Sequence, residues 1–235
     1  MKVVLSGLGG DEWFAGYASF TRVPLLHSIH CRFPSFFRRA VASILERNDA
    51  GSPWRRLASF LRGGGSWLEA FHAQRGIFDP DEAAALAKFL CGEEPPALEW
   101  NNTGALPDEP GEIAGWLEVT RYMRNQLLRD SDVFSMAHGL ELRVPLVDIR
   151  LAEALLSLPP ALRLQNGKKL LLDAVPEIPE WIRSRPKQGF RFPFQQWMQG
   201  SFGDMLREVE IASPVASGTW YRTWALAAAR RAVRR

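Results

Sequence analysis

The sequence predicts a mostly α-helical chain that carries one strand of a parallel sheet. A short apolar run, Val3–Leu5, leads into a glycine-rich turn and then into a helical pattern, Trp13–Tyr17. This is the order of a buried strand, a turn and a helix start. Apolar residues then recur at helical spacing, and the pattern divides into about nine helices. The strand–turn–helix opening indicates that the single strand belongs to a parallel sheet, for which the chain offers few other strands.

The turn Ser6–Glu12 carries the most chemistry in this opening segment. Glycines let backbone amides approach a ligand, and a helix N-terminus adds further amides. The carboxylates of Asp11 and Glu12 would repel a bare phosphate, so a phosphate bound here requires a Mg²⁺ ion between it and the carboxylates. The alternative is that both acids cap the helix and complement its dipole. The stretch alone leaves both interpretations open, but it excludes a dinucleotide fingerprint, because Glu12 stands where that motif needs a glycine.

Composition and charge exclude several other classes. The chain has 235 residues, is 46% hydrophobic and 23% charged, and has a net charge of +3, which is ordinary for a globular protein. Without a basic stripe this charge does not indicate nucleic acid as a partner. No apolar run of about 18 residues suggests a membrane span. The two cysteines, Cys31 and Cys91, have no metal-site spacing and fit a reducing cytoplasm.

Helix boundaries divide the chain into sections of residues 1–17, 18–91, 92–111 and 112–235. Gly63–Ser66 follows a helix and is interpreted as a helix–helix connection, not as a phosphate loop. Asp79 is a predicted helix cap, because a proline and two acids follow it. Prolines and the Asn101-Asn102 pair make residues 92–111 an irregular connector. The last section is predicted to be helical, with a loop around Lys187.

Two charged stretches lie in the last section. Glu141 and Arg143 are surrounded by apolar residues, so both are expected to be partly buried and to need a partner, with a buried pair as the preferred interpretation. The segment Arg185–Pro193 contains two prolines and a glycine around Lys187. A lysine held so rigidly is a candidate functional group, and an ordinary surface lysine is the open alternative.

Three of these segments resemble the motifs of asparagine synthetases. Val4–Tyr17 resembles their S-G-E-G-x-D-E-x-F-x-G-Y segment. Asp132–Ala137, followed by Glu141–Asp148, is similar to D-x-x-S-M-A and E-x-R-x-P-x-x-D. Arg185–Phe190 resembles R-P-K-x-G-F. The resemblance implies the C-terminal part of an α/β adenine-nucleotide domain of the PP-loop ATP pyrophosphatase type, with one remaining strand.

The resemblance also implies a reaction and site residues. ATP activates the side-chain carboxylate of aspartate as an acyl-adenylate, and ammonia that a separate glutaminase domain releases from glutamine then forms the amide. Ser6 and Gly7 would contact the nucleotide, and Asp11 would help to hold Mg²⁺ on the pyrophosphate. Lys187 would be the catalytic cation that neutralises phosphate charge. Glu12 would lie at the nucleotide site as a supporting group or helix cap.

Three departures from the family pattern stand out. Leu8 occupies the position of a Glu that asparagine-forming members place near the reacting carboxylate. The family's early S-G-G-x-D-S loop, with its own Mg²⁺-binding Asp, has no counterpart in the chain, and position 2 is Lys2 instead of the glutaminase Cys. Glu141 and Arg143 are expected in the pocket wall. The chain is therefore expected to be a fragment that lacks a glutaminase and a PP-loop half, whether fused or separate.

The sequence leaves three functions open. The first is the ATP- and Mg²⁺-dependent ligase that makes asparagine in the cytoplasm. The second is a related ligase that amidates another carboxylate, since Leu cannot move a proton or hold an ammonium. The third is a non-catalytic remnant or a partner subunit, for which a large apolar surface would remain where the missing sheet packs.

Overall fold

The computed structural model describes residues 2–49, 52–93, 105–165, 168–185, 193–200, 203, 206, 213–215 and 219–233. These residues are mostly helical, which confirms the predicted class. They form two compact units. Unit 1 contains Met1–Leu26 and Thr103–Lys187, and unit 2 contains His27–Asn102 and Gln188–Arg235.

Unit 1 contains the sheet. Strand β1 is Val3–Leu5 and strand β2 is Glu141–Arg143, and the two pair in parallel with Val3 opposite Glu141 and Leu5 opposite Arg143. The prediction of one strand is therefore wrong by one, although Leu140–Val144 alternates apolar and charged residues as a half-buried strand does. The same unit contains α1 (Gly10–Trp13), the start of α2 (Ser19–Arg32), α7 (Pro110–Leu117), a π-helical segment (Glu118–Leu127) and α8 (Leu128–Ala137).

After β2 the chain of unit 1 continues through short elements. These are a 3-10 turn (Pro145–Val147), α9 (Ile149–Leu156), α10 (Pro160–Arg163), α11 (Lys169–Ala174) and α12 (Glu180–Arg183). Trp13 of α1 and the following Phe14 pack with Ala152 and Leu155 of α9, and Leu170 and Leu171 of α11 lie against the same cluster. This apolar cluster packs α9 and α11, which come late in the unit's sequence, against α1 near its start.

The pair of Glu141 and Arg143 forms, but not as a buried pair. Arg143 Nε lies 2.9 Å from Glu141 Oε1, while the two side chains remain 60% and 58% exposed. Residues two apart in a strand point to the same face, which brings the charges together. Burial was the wrong part of the prediction, since the pair lies on the open face of a two-stranded sheet.

Unit 2 is helical throughout its described residues. It contains the end of α2, then α3 (Ser35–Leu45), α4 (Pro53–Arg62), α5 (Trp67–Arg75), α6 (Pro80–Cys91), α13 (Phe194–Gln199) and α14 (Trp220–Val233). Gly63–Ser66 connects α4 to α5, and Asp79 caps α6 by accepting a hydrogen bond from Glu82 N at 2.9 Å, as the sequence predicts. Most of the predicted connector, residues 94–104, lies outside the described residues.

Candidate functional site

The first two family-like motifs meet at one edge of the sheet. The backbone N–H of Ser6 donates to Arg143 O at 2.9 Å, which extends the parallel ladder by one bond beyond β1. Both chain segments therefore leave the sheet at the same edge. Gly9 then lies directly against the backbone of Leu146, since a Cβ added to Gly9 would be 2.9 Å from Leu146 O. Segments far apart in the chain thus form one turn region.

Gly9 is the residue that this close approach requires. Its φ is 96°, in the left-handed region, and the neighbouring Leu146 leaves no room for a side chain. We expect Gly9→Ala to lower the free energy of unfolding by about 2–3 kcal/mol, from backbone strain plus overpacking. Gly139→Ala is the matched control in the same unit, because Gly139 has a φ of 64° and open space around it. Urea unfolding of both variants checks the difference, and equal losses would contradict the packing argument.

Glu12 points inward, away from the open side of the turn. Its side chain is buried, Oε2 accepts a hydrogen bond from Gly9 N at 3.1 Å, and Oε1 accepts one from the Tyr17 hydroxyl at 2.9 Å. Both carboxylate oxygens are therefore engaged with the turn and with the residues that follow α1. This geometry favours the supporting or capping interpretation of Glu12 over direct contact with a nucleotide.

Tyr17 completes this support. Its ring packs edge-to-face on Tyr122 with centroids 5.9 Å apart. Burial first, and then the charge of Glu12, raise the pKa of the Tyr17 hydroxyl far above its ordinary value. The hydroxyl therefore stays protonated and continues to donate to Glu12.

We expect Tyr17→Phe to lower the free energy of unfolding by about 1–3 kcal/mol, because it leaves one oxygen of buried Glu12 without this donor. The wild type should also lose stability as pH rises above about 10, since the unfolded chain then releases the Tyr17 proton that the folded chain retains. Urea unfolding between pH 7 and about 10.5 measures both effects, with Tyr221→Phe as control. If Tyr17→Phe loses as much stability at alkaline pH as the wild type does, the loss does not come from Tyr17.

Asp11 lies on the other side of α1 and pairs with Lys168. Lys168 Nζ is 2.7 Å from Asp11 Oδ1, and the side chains are 35% and 22% exposed, so the pair is reachable from solvent. Gly16 packs behind the carboxylate: its N–H donates to Asp11 O at 2.8 Å, and a Cβ on Gly16 would overlap Asp11 Oδ1. The Asp11 side chain is therefore held in place from behind.

Lys168 is the site residue that sequence reasoning missed. It precedes α11 with a φ of 61°, an uncommon conformation for a residue other than glycine. Such strain clusters at functional sites. The packing of Leu170 and Leu171 against Trp13 fixes α11 next to α1. Nothing local in the sequence signals this contact.

The remaining predicted residues divide into two groups. Ser6 is half-buried, and Gly7 is exposed with no atom within 4 Å of the position that a Cβ would take, so the outer face of the turn is open. Leu8 is half-buried between them and α1. Lys187 and its neighbours 186–192 lie outside the described residues.

The described residues contain no group of three or more His, Cys, Asp or Glu side chains that could hold a metal ion. Within this part of the chain the Asp11 side chain stays 22% exposed with its buried Oδ1 paired to Lys168, whereas both oxygens of Glu12 are engaged elsewhere. One or two carboxylates with phosphate oxygens are a usual set of Mg²⁺ ligands. The residues present therefore fit a cation brought by a phosphate better than a site made by protein ligands alone.

Comparison with known proteins identifies the family. The family profile for asparagine synthase matches residues 1–232. A Mycobacterium tuberculosis protein named "Putative asparagine synthetase (glutamine-hydrolyzing)" is 30% identical over 217 residues, which cover 88% of the chain and 32% of that protein. The Bacillus subtilis glutamine-hydrolysing asparagine synthetase 1 is 27% identical over 218 residues, 89% of the chain and 33% of that protein. The chain belongs to the asparagine synthase family and spans about a third of these relatives' length.

The remaining comparisons add one match to a short part of the chain and one negative result. The human glutamine-hydrolysing asparagine synthetase is 43% identical over 82 residues, 31% of the chain and 15% of that protein. No solved structure gives a significant match to the chain. Among the described residues, no helix combines the length and apolar character needed to cross a membrane.

Proposed function

We propose that the chain is the C-terminal part of the synthetase domain of an ATP-dependent amide-forming ligase. The reaction we infer converts aspartate to asparagine through an acyl-adenylate, with ammonia derived from glutamine. One observation carries this proposal: the open turn Ser6–Gly9 lies beside the second motif, with Asp11 and Lys168 held together at its side. Family membership supports the amide-forming chemistry.

Each residue has a proposed role. Ser6 and Gly7 contact the nucleotide on the open face of the turn, where no side chain blocks the approach to Gly7 among the described residues. Asp11 would hold Mg²⁺ together with phosphate oxygens, and the ion would supply charge neutralisation at the pyrophosphate leaving group. Lys168 adds a second positive charge beside Asp11. Lys187 remains our proposed catalytic cation.

The sheet supports the proposal that the chain works with a further part. Two paired strands of three residues each are marginal alone, and Leu5 in β1 is 74% exposed. We infer that both strands belong to a larger parallel sheet of the PP-loop type, completed by a front half with the missing phosphate loop, and that a glutaminase domain supplies ammonia. The exposed free thiols of Cys31 and Cys91 accord with a reducing cytoplasm.

A second candidate substrate is favoured by one residue. Leu8, half-buried beside the turn, can neither transfer a proton nor hold an ammonium group. An acid other than aspartate, which needs no such group at this position, would then be amidated by the same ATP chemistry. The residues Ser6, Asp11 and Lys168 serve both substrates equally.

The experiment that separates these functions is acid-dependent exchange of pyrophosphate into ATP. It uses the chain joined to the front part of the Bacillus subtilis relative, hereafter the joined protein, with that relative as positive control. Exchange driven by aspartate supports asparagine formation. Exchange driven only by another acid in a panel, with aspartate use gained in Leu8→Glu, supports the second candidate. No exchange with any acid, in a joined protein that is folded, supports a non-catalytic role and contradicts the proposal.

A further inference from the structure

A second site candidate lies in unit 2 and includes none of the turn residues. Helices α4 and α5 line a small open cleft with a volume of about 20 Å³. Its polar lining comes from Arg56 and Ser59 of α4 and from Glu69 and His72 of α5. This volume is far below the roughly 300–1,000 Å³ of pockets for drug-sized ligands, so the open cleft admits water or one small group at its mouth.

The guanidinium of Arg56 is the unexplained feature of this cleft. Its Nε and Nη1 atoms are buried and have no hydrogen-bond partner among the described residues. A buried donor without an acceptor costs about 1–3 kcal/mol, and more when it carries a charge. An unsatisfied group of this kind in a folded protein calls for a water, an ion or a ligand.

The acid in the cleft does not supply the missing acceptor. Glu69 Oε1 accepts from Gly64 N at 3.0 Å, and Glu69 Oε2 accepts from Ser66 N at 2.7 Å. These bonds tie the carboxylate to the connection between α4 and α5, where Ser66 caps α5. Glu69 is thus committed to the start of its own helix and does not serve as an acceptor for Arg56 Nε or Nη1.

His72 lies in the same cleft and senses the charge of Arg56. Burial first, and then the charge of Arg56, lower the pKa of the His72 imidazole. The ring is therefore neutral near pH 7 and presents one N–H donor. Ser59 adds a hydroxyl that can also donate. The charged groups that line the cleft in the described part of the chain are Arg56 from α4 and Glu69 from α5.

We propose that this cleft binds a small oxyanion, the carboxylate or phosphate group of a ligand, on the Arg56 guanidinium. The planar fork of an arginine matches both kinds of oxyanion with paired N–H donors. The bound group would satisfy the buried Nε and Nη1 atoms of Arg56. This site is independent of the proposed ligase reaction.

The test follows the imidazole signals of His72 in the intact chain by NMR while inorganic phosphate or acetate is added at constant ionic strength with chloride. Phosphate or acetate should shift the His72 signals saturably and raise the pKa of His72, because the anion offsets the Arg56 charge. The anion that saturates identifies the ligand group. If neither does, water fills the cleft and the proposal is overturned.

Arg56→Gln should weaken anion binding at least tenfold, while Arg55→Gln, the neighbouring arginine whose charge acts on Asp79, should leave it unchanged. Circular dichroism checks that each variant is folded. If Arg56→Gln does not fold, Arg56→Lys decides, since it keeps the charge but loses the fork and should bind several-fold more weakly. Equal binding by wild type and the Arg56 variant would show an ion at the surface and overturn the proposal.

Discussion

Arg222→Ala is expected to lower the free energy of unfolding by about 3–5 kcal/mol, because removing one partner of a buried pair leaves the other charge uncompensated. Arg222 is fully buried in α14, and its Nη2 lies 2.8 Å from Glu82 Oε1. It also donates to Ile77 O at 2.8 Å and lies 4.3 Å from the ring centroid of Phe78. The substitution therefore removes contacts to the start of α6 as well as the ion pair.

Glu82 amplifies the effect, because its Oε2 also accepts from Asp79 N at 3.0 Å in the cap of α6. Urea unfolding monitored by tryptophan fluorescence measures the loss. Arg231→Ala is the matched control, since Arg231 is exposed in the same helix, and we expect it to change stability by less than about 0.5 kcal/mol. Equal losses in the two variants would contradict the packing described for unit 2.

Asp11→Asn is expected to reduce pyrophosphate exchange by the joined protein about 100-fold, which corresponds to about 2.7 kcal/mol of transition-state stabilisation. The amide keeps the shape of the side chain but loses the charge that would hold Mg²⁺ and that now faces Lys168 at 2.7 Å. The main effect should be on kcat, since the charge acts on the leaving pyrophosphate.

Asp173→Asn is the control for this variant. Asp173 is an exposed carboxylate of α11 that pairs with Lys169. Like Asp11 it is an aspartate paired with a lysine, but it does not lie at the turn. We expect its exchange rate to match the wild type. An Asp11→Asn protein with wild-type exchange would remove Asp11 from the proposed metal site.

Local patterns predicted the elements on which the site stands. The run Val3–Leu5 followed by glycines predicted a strand and a turn, and the structure has β1 and the turn at these positions. The acid and proline at residues 79 and 80 predicted the start of α6. In each case the signal lies in a short run of consecutive residues, where capping and backbone conformation decide the structure.

Contacts between distant segments could not be predicted in this way. β2 was missed although Leu140–Val144 alternates apolar and charged residues, because the run is short and its pairing with β1 depends on the fold. Lys168 was missed because its partner Asp11 lies at the other end of unit 1's sequence. The predicted burial of Glu141 and Arg143 failed for the same reason, since exposure depends on what covers the sheet.

The most direct test of the central claim compares pyrophosphate exchange by the chain alone, by the front part alone and by the two together. The account predicts background exchange from either part, because each holds only one side of the nucleotide site, and acid-dependent exchange when both are present. That recovered exchange should disappear with Asp11→Asn in this chain. Exchange clearly above background from the chain alone, or recovered exchange indifferent to Asp11, would contradict the account.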